Sequence, residues 1–319
     1  MRHISGLFIA GIFCFFLIAG FLAYTNLVPS DNTLKSPLPA GLLKYLYPAQ
    51  SKVQFWMPSI KAGQKVPAEK PELFAKSALS YDLTTNTMVL AKDIDDKLPI
   101  ASLTKIMTAI VALETQKETD QITVSERAAS IGEDSMGLSE GEKVSLRDLL
   151  YGLFLQSGND AAEAIADSSQ FGRDDFVHLM NKKAESLGLS STHFTNPSGL
   201  EGDGKQYSTA HDLLVLTRYA LEKDTIRNIV ATYNYSIPYT STHKAFDLYN
   251  ETNLLTSYPG VKGVKTGYTD EAGLCLITYL ERNGHKIIAV LLNSPDRRDE
   301  MIKILDYTLS AEGIDSKQG

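Results

Sequence analysis

Polar and apolar positions along this chain change period several times, and each change marks an element. Gly6 to Tyr24 is one unbroken apolar run, GLFIAGIFCFFLIAGFLAY, with Arg2 and His3 before it and no Lys or Arg after it until Lys35. A helix of that length spans a hydrocarbon core of about 30 Å, and the charge asymmetry places the N-terminus on the cytoplasmic side and the rest outside. A cleaved signal segment is the competing reading. The run is long for one, and no small-x-small cleavage site comes after it, so a retained anchor is expected. From Thr25 to Lys70, six prolines and the aromatic patches Tyr45-Leu46-Tyr47 and Phe55-Trp56 describe a spacer, packed in part on the folded domain.

From Leu73 the period drops to two. Lys76 to Asp82 and Met88 to Ala91 flank the polar Thr84-Thr85-Asn86-Thr87, which predicts a hairpin. Ile106, Ile110, Val111 and Leu113 then keep a helical spacing whose first turn includes Ser102. Leu146, Leu149, Leu150, Leu153 and Phe154 predict a helix over 145–155, broken at Ser157-Gly158-Asn159. Further helices are expected over 174–187, closed by Gly188, and over 208–222, capped by Ser208 or Thr209. A less regular stretch leads to Val261–Tyr268. Strands over 274–280 and 286–292 come next, joined through Asn283-Gly284, a dipeptide suited to a two-residue hairpin turn. A helix over 298–310 ends the pattern.

Strands early, helices in the middle, a hairpin and a helix late: this predicts an α+β fold. The first hairpin and the last strands share one antiparallel sheet flanked by helices, with a mainly helical subdomain, after one N-terminal transmembrane helix. The domain reading is 1–24 anchor or signal segment, 25–70 linker, 71–312 folded domain and 313–319 tail. No internal repeat is visible.

Composition narrows the function. The 319 residues are 43% hydrophobic and 22% charged, with a net charge of −7. That is ordinary globular composition, and the acidic balance argues against nucleic acid as a partner. The two cysteines, Cys14 inside the apolar run and Cys275, predict no disulfide, so the core must hold the fold alone. Phe13 occupies the place a lipidated Cys14 would need filled by a small residue. The six histidines form no H-E-x-x-H or ligand-like cluster, so no metal or other cofactor is expected.

Ser102 and Lys105 stand three apart at the start of a helical pattern, close enough for an amine to take a proton from a hydroxyl. Such a pair alone says little, because Ser241-Thr242-His243-Lys244 repeats the spacing. Order separates the two. Ser157-x-Asn159 and the one K-T-G, Lys265-Thr266-Gly267, come after Ser102, whereas Ser241 comes after the S-x-N motif and the other S-x-N, Ser30-Asp31-Asn32, precedes every S-x-x-K. On a sheet edge, K-T-G offers a cation, a hydroxyl and bare backbone to a substrate with a free carboxylate.

At these residues the chain resembles the D-alanyl-D-alanine carboxypeptidase family, the low-molecular-weight penicillin-binding proteins. The resemblance covers about residues 70–310 and includes Ala101–Ala109, Asp148–Tyr151, Ser157–Ala162, Thr195–Leu200, Ser208–Ala210 and Gly263–Gly273. It implies the serine β-lactamase/DD-peptidase fold, with the catalytic domain lying outside the cytoplasm at the cell membrane. Its substrate would be the peptidoglycan stem peptide, with β-lactam antibiotics as inhibitors.

The resemblance also implies roles. Ser102 is the nucleophile and Lys105 its base. Ser157 relays the proton to the leaving D-alanine and Asn159 holds the peptide. Lys265 and Thr266 face the terminal carboxylate, with Arg297 assisting and Arg298 an equal rival, and Gly267 lets the substrate backbone approach closely. The N–H groups of Ser102 and Tyr268 form the oxyanion hole. Bringing a lysine from 10.4 towards 7 takes about 4 kcal/mol against its charged form, from burial and the Lys265 charge. Two departures stand out: Ser198 where the family often has His, and no β-rich C-terminal domain, so the N-terminal helix is expected to be the tether. The E-x-x-L-N setting of a class A β-lactamase is missing, since 193–197 reads His-Phe-Thr-Asn-Pro and Glu251 precedes Thr-Asn-Leu. A DD-endopeptidase and a non-catalytic wall-binding scaffold are the alternatives.

Overall fold

The structure is a computed structural model that describes residues 56, 58 and 69–314. The apolar run expected to cross the membrane, nearly all of the spacer and the last five residues lie outside the described residues, among which no helix is long and apolar enough to span a bilayer.

In chain order the elements are β1 (Ser77–Asp82), β2 (Thr87–Lys92), a 3-10 turn (Ala101–Thr104), α1 (Lys105–Thr115), β3 (Gln121–Thr123), α2 (Glu126–Ala129), β4 (Lys143–Ser145), α3 (Leu146–Leu155), α4 (Asn159–Asp167) and α5 (Arg173–Ser186). After these come α6 (Ala210–Leu221), α7 (Asp224–Val230), β5 (Asn234–Ile237), β6 (Phe246–Tyr249), α8 (Leu254–Ser257), β7 (Val261–Thr269), β8 (Gly273–Arg282), β9 (His285–Ser294) and α9 (Arg297–Ala311).

The main sheet runs β2-β1-β9-β8-β7, antiparallel throughout, so the first hairpin and the last strands do share one sheet and β7 is an edge. Asn283 and Gly284 turn between β8 and β9 at φ of 48° and 83°, which matches the turn their sequence predicts. Both faces of β9 are covered. Ile287, Ala289 and Leu291 join Met301, Ile304 and Leu305 of α9 in one core cluster, and the alternating Ile288, Val290 and Leu292 are equally buried on the side where α6 packs. Such two-sided burial is why β9 reads as a continuous apolar run. Helix α1 is buried from Lys105 to Ala112 and contacts α3, α4, α5 and α6, so it runs through the middle of the helical side.

Side chains cap the starts of α3 and α6, at α6 through Thr209, one of the two caps the sequence offers. Ser145 accepts from Asp148 N at 3.1 Å and Thr209 from Asp212 N at 3.0 Å, each stabilising its helix by about 1 kcal/mol. From the spacer, Trp56 lies edge-on to Tyr81 with ring centroids 5.3 Å apart and beneath the Arg218 guanidinium at 4.5 Å, so this part of the spacer packs on the domain.

Three features depart from the sequence reading. Ser102 sits in a single 3-10 turn rather than in the first α-helical turn, because Ala101 is held at a φ of 48° and the regular helix begins only at Lys105. The irregular stretch before β7 contains α7 and the β5–β6 hairpin, whose inward residues are too few to make a clear period. The three-residue β3–β4 ladder is equally too short to read.

Candidate active site

Two glycines let neighbouring backbone close on the turn that carries Ser102. Gly199 has a φ of 91°, and a side chain there would meet Ala101 O at 2.0 Å. On the other side, a Cβ on Gly267 would lie 3.1 Å from Ile100 O and 3.3 Å from Ser102 N, so β7 presses directly on the serine turn. The segment Pro197–Gly199 is tied in turn to α1, where Thr108 Oγ1 donates to Pro197 O at 2.6 Å.

One turn on, Lys105 is completely buried, and its Nζ lies 2.7 Å from Ser102 Oγ, 2.6 Å from Asn159 Oδ1 and 2.7 Å from Ser198 O. As an ammonium it satisfies all three acceptors. As a neutral amine it keeps two of them and offers its lone pair to the Ser102 proton. Burial, then the nearby charge of Lys265, hold the Lys105 amine well below its ordinary range, against the opposing carboxylates of Asp134, Glu251 and Asp160. Lys265 is itself buried, with Nζ donating to Thr266 O at 3.0 Å, and burial brings it down to about 8. Glu251 and Asp134 favour its charged form and Arg297 disfavours it.

The second motif closes the site from the helical side. Ser157 occupies the break between α3 and α4 at a φ of 55° and is 2% exposed. Asn159, the first residue of α4, receives Lys105 on Oδ1 and donates Nδ2 to Glu133 O at 2.8 Å and its own N–H to Asp134 O at 2.7 Å. Thr266 is buried beside Lys265. Tyr268 is 56% exposed, with its hydroxyl on Asp270 Oδ1 and its side chain at the cleft mouth. The two arginines differ in placement. Arg297 is half-buried and donates Nη1 to Gly267 O at 3.2 Å, whereas Arg298 is exposed and bonds Asp299. The mouth opens into a hollow of about 480 Å³ lined by Glu133, Asp134, Leu200, Glu201, Tyr268, Thr269 and Asp270.

The buried serine, the two buried lysines and the S-x-N turn therefore meet in one groove. The family model described as D-alanyl-D-alanine carboxypeptidase matches residues 64–296. The chain belongs to that family. The D-alanyl-D-alanine carboxypeptidase DacF of Bacillus subtilis (strain 168) is 36% identical over 244 residues, 74% of this chain and 62% of that protein. The D-alanyl-D-alanine carboxypeptidase of Streptomyces sp. (strain K15) is 35% identical over 257 residues, 75% of this chain and 88% of that one. The solved structure of the Streptomyces K15 DD-transpeptidase superposes with a TM-score of 0.72 at 32% identity, covering 76% of this chain and all of that one. The chain thus spans less than two thirds of the Bacillus relative's length.

For this member of the carboxypeptidase family, sequence reasoning missed the groups that act through backbone or at a distance. The Ser198 carbonyl is the third partner of the Lys105 amine, yet its side chain only touches Asn196 and the Leu200 N–H. Asp134 and Glu251 act through charge from exposed positions. The histidine expectation also needs revising. His285 Nδ1 contacts Asp82 Oδ2, and Glu312 completes a group whose ligand atoms lie within 4.8 Å of one another. That group sits at the opposite end of the sheet from Ser102, with Thr84 N donating to Asp82 Oδ1 at 2.7 Å, and it binds the β1–β2 turn to the end of α9.

Proposed function

We propose that the protein is a serine D-Ala-D-Ala carboxypeptidase that removes the terminal D-alanine from peptidoglycan stem peptides through an acyl-enzyme on Ser102, and that penicillin acylates the same oxygen. Neutral Lys105 takes the Ser102 proton as Oγ adds to the carbonyl carbon of the penultimate D-alanine. The oxyanion is met by the N–H groups of Ser102 and Tyr268. Ser157 passes the proton to the departing amine, the C–N bond breaks and D-alanine leaves. Water then adds to the ester carbon, its hydroxyl staying on the acid and its proton returning to Ser102. Lys265, Thr266 and Arg297 hold the terminal carboxylate, a group their two cations suit.

The observation that carries this reading is the 2.7 Å contact between Lys105 Nζ and Ser102 Oγ in a site where burial and a second lysine favour the neutral amine. The test is labelling with fluorescent penicillin followed by peptide mapping, together with D-alanine release from a D-Ala-D-Ala peptide. Label on Ser102, lost in Ser102→Ala, supports the reading. A protein that binds the peptide without releasing D-alanine overturns it.

A second reading draws on the name of the solved relative, a DD-transpeptidase. The same acyl-enzyme could pass its acyl group to an amine rather than to water, and cross-linked product formed in place of free acid would select it. A cross-link-cutting DD-endopeptidase is distinguished by the same product analysis. No glutamate stands in the E-x-x-L-N setting, so the penicilloyl ester should persist. We further propose that the N-terminal apolar run tethers this domain outside the cytoplasmic membrane. Recovery of full-length protein in the membrane fraction, accessible to protease from outside, would support it.

A further inference from the structure

Next to the groove, one carboxylate does more hydrogen bonding than any group the reaction uses. Asp160, the second residue of α4, is 1% exposed. Its Oδ2 accepts from Ser135 Oγ at 2.6 Å, Gly137 N at 3.0 Å and Leu138 N at 2.9 Å. Its Oδ1 accepts from Met136 N at 3.0 Å and Ala161 N at 2.8 Å. Four of these five bonds come from the 135–138 loop. A carboxylate can accept about four well-directed bonds, so this one is saturated and cannot serve a substrate.

The loop it gathers begins with Glu133 and Asp134, whose carbonyls receive the side-chain and backbone N–H groups of Asn159. Asn159 Oδ1 in turn receives Lys105 Nζ, which contacts Ser102 Oγ. Four hydrogen-bonded links thus connect Asp160 to the nucleophile: carboxylate to loop, loop carbonyls to Asn159, Asn159 to Lys105, and Lys105 to Ser102. Asp134 is non-glycine at a φ of 30°, a backbone state that persists only where surrounding bonds hold it.

We infer that Asp160 is a positioning residue: by clamping the 135–138 loop to the start of α4 it holds the Glu133 and Asp134 carbonyls against Asn159, and so fixes the amide against which the Ser102–Lys105 pair is aligned. The inference deepens the carboxypeptidase reading and rests on it for the meaning of that alignment. The clamp also builds one wall of the cleft mouth, since Glu133 and Asp134 line it. Releasing the loop should therefore harm a long peptide more than a compact β-lactam.

The test is Asp160→Asn in the full-length protein. The amide keeps an acceptor at the Oδ1 position but turns a donor towards the Gly137 and Leu138 N–H groups. Penicillin acylation should slow by about 10- to 100-fold and peptide hydrolysis by more, and a glutamate-specific protease should cut after Glu133 while the circular dichroism spectrum is unchanged. The pH profile supplies a readout that simple destabilisation would not move. The charged groups that bear on Lys105 are Lys265 from β7, Asp134 from the loop, Glu251 ahead of α8 and Asp160 itself. Removing the Asp160 charge and freeing Asp134 withdraws two carboxylates that favour the ammonium. The acid limb of acylation should then move to lower pH.

If Asp160→Asn does not fold, Ser135→Ala decides. It deletes the 2.6 Å bond and the Gly137 N contact at 2.8 Å from the loop side, and should give the same changes on a smaller scale. Wild-type acylation rates with an uncut loop, or a fall in rate with an unmoved acid limb, overturn the inference. Failure of the wild type to take penicillin on Ser102 would refute the carboxypeptidase reading instead, and the protease test would still decide whether Asp160 holds the loop.

Discussion

The chain contains the same four-residue spacing twice, and the two copies have little else in common. Ser102 and Lys105 are 7% and 0% exposed, with three acceptors around one amine. Ser241 and Lys244 lie on the exposed loop between β5 and β6, where Lys244 Nζ donates to Ser139 Oγ at 2.7 Å and stands 3.8 Å from Glu142. The comparison shows that a hydroxyl and an amine three residues apart are not a reacting pair in themselves. In the mechanism proposed above, burial that disfavours the ammonium, a second cation from a strand and glycines that admit two backbones against the serine turn are what would make them one.

The sharpest break in this contrast is the amine itself. Lys105→Ala should lower the rate of Ser102 acylation by at least about 10³-fold, measured with fluorescent penicillin, while Lys244→Ala leaves it unchanged. Equal losses would show that burial does not distinguish the two copies. Next in size is the steric clamp. Gly199→Ala places a Cβ on the Ala101 carbonyl, and its φ of 91° is strained for any side chain. Acylation should fall by about 10²-fold, because displacing the turn by an ångström misaligns the nucleophile. A wild-type rate would mean the turn adapts freely.

The second cation gives a pH test. In the proposed mechanism activity needs Lys105 neutral, so it rises as pH passes upward through that residue's depressed value. Activity also needs Lys265 charged, so it falls as pH passes upward through about 8. The profile of kcat/KM should be bell-shaped with an alkaline limb near 8. In Lys265→Arg the guanidinium stays charged, and that limb should vanish even if the maximum is lower. An unchanged alkaline limb would assign it to another group. Smaller still is the arginine pair. Arg297→Leu should raise KM for the peptide about tenfold, the cost of one charge-assisted hydrogen bond, and Arg298→Leu should leave it alone.

How far the sequence could foresee this depends on the same contrast. Ser102, Lys105, Ser157, Asn159 and Lys265 are legible because their chemistry is in the side chain and their order along the chain is restrictive. The sheet was legible because β1, β2, β8 and β9 carry period-two or fully apolar runs and Asn283-Gly284 names its own turn. Ser198 was invisible as a partner because it acts through a carbonyl every residue possesses. Asp160 is not legible in the sequence, because four of its five partners lie in a loop more than twenty residues away. The 3-10 turn could not be read either, since it depends on close packing against Gly199, a residue distant in sequence.

The smallest expected effect tests the quieter half of the comparison. Lys244 pairs with Glu142 and Ser139 across two surface loops, and its ammonium also lies 5.7 Å from the Phe246 ring centroid. Lys244 is 46% exposed, so water screens the ion pair, and the long side chain gives up rotamer freedom to make it. Lys244→Ala should therefore change unfolding free energy by less than about 1 kcal/mol in urea titrations, and added salt should erase most of that difference. A larger, salt-insensitive loss would mean that the β5–β6 loop is held by this lysine as firmly as the groove is held by the other, and the contrast between the two copies would be one of chemistry alone rather than of structural support.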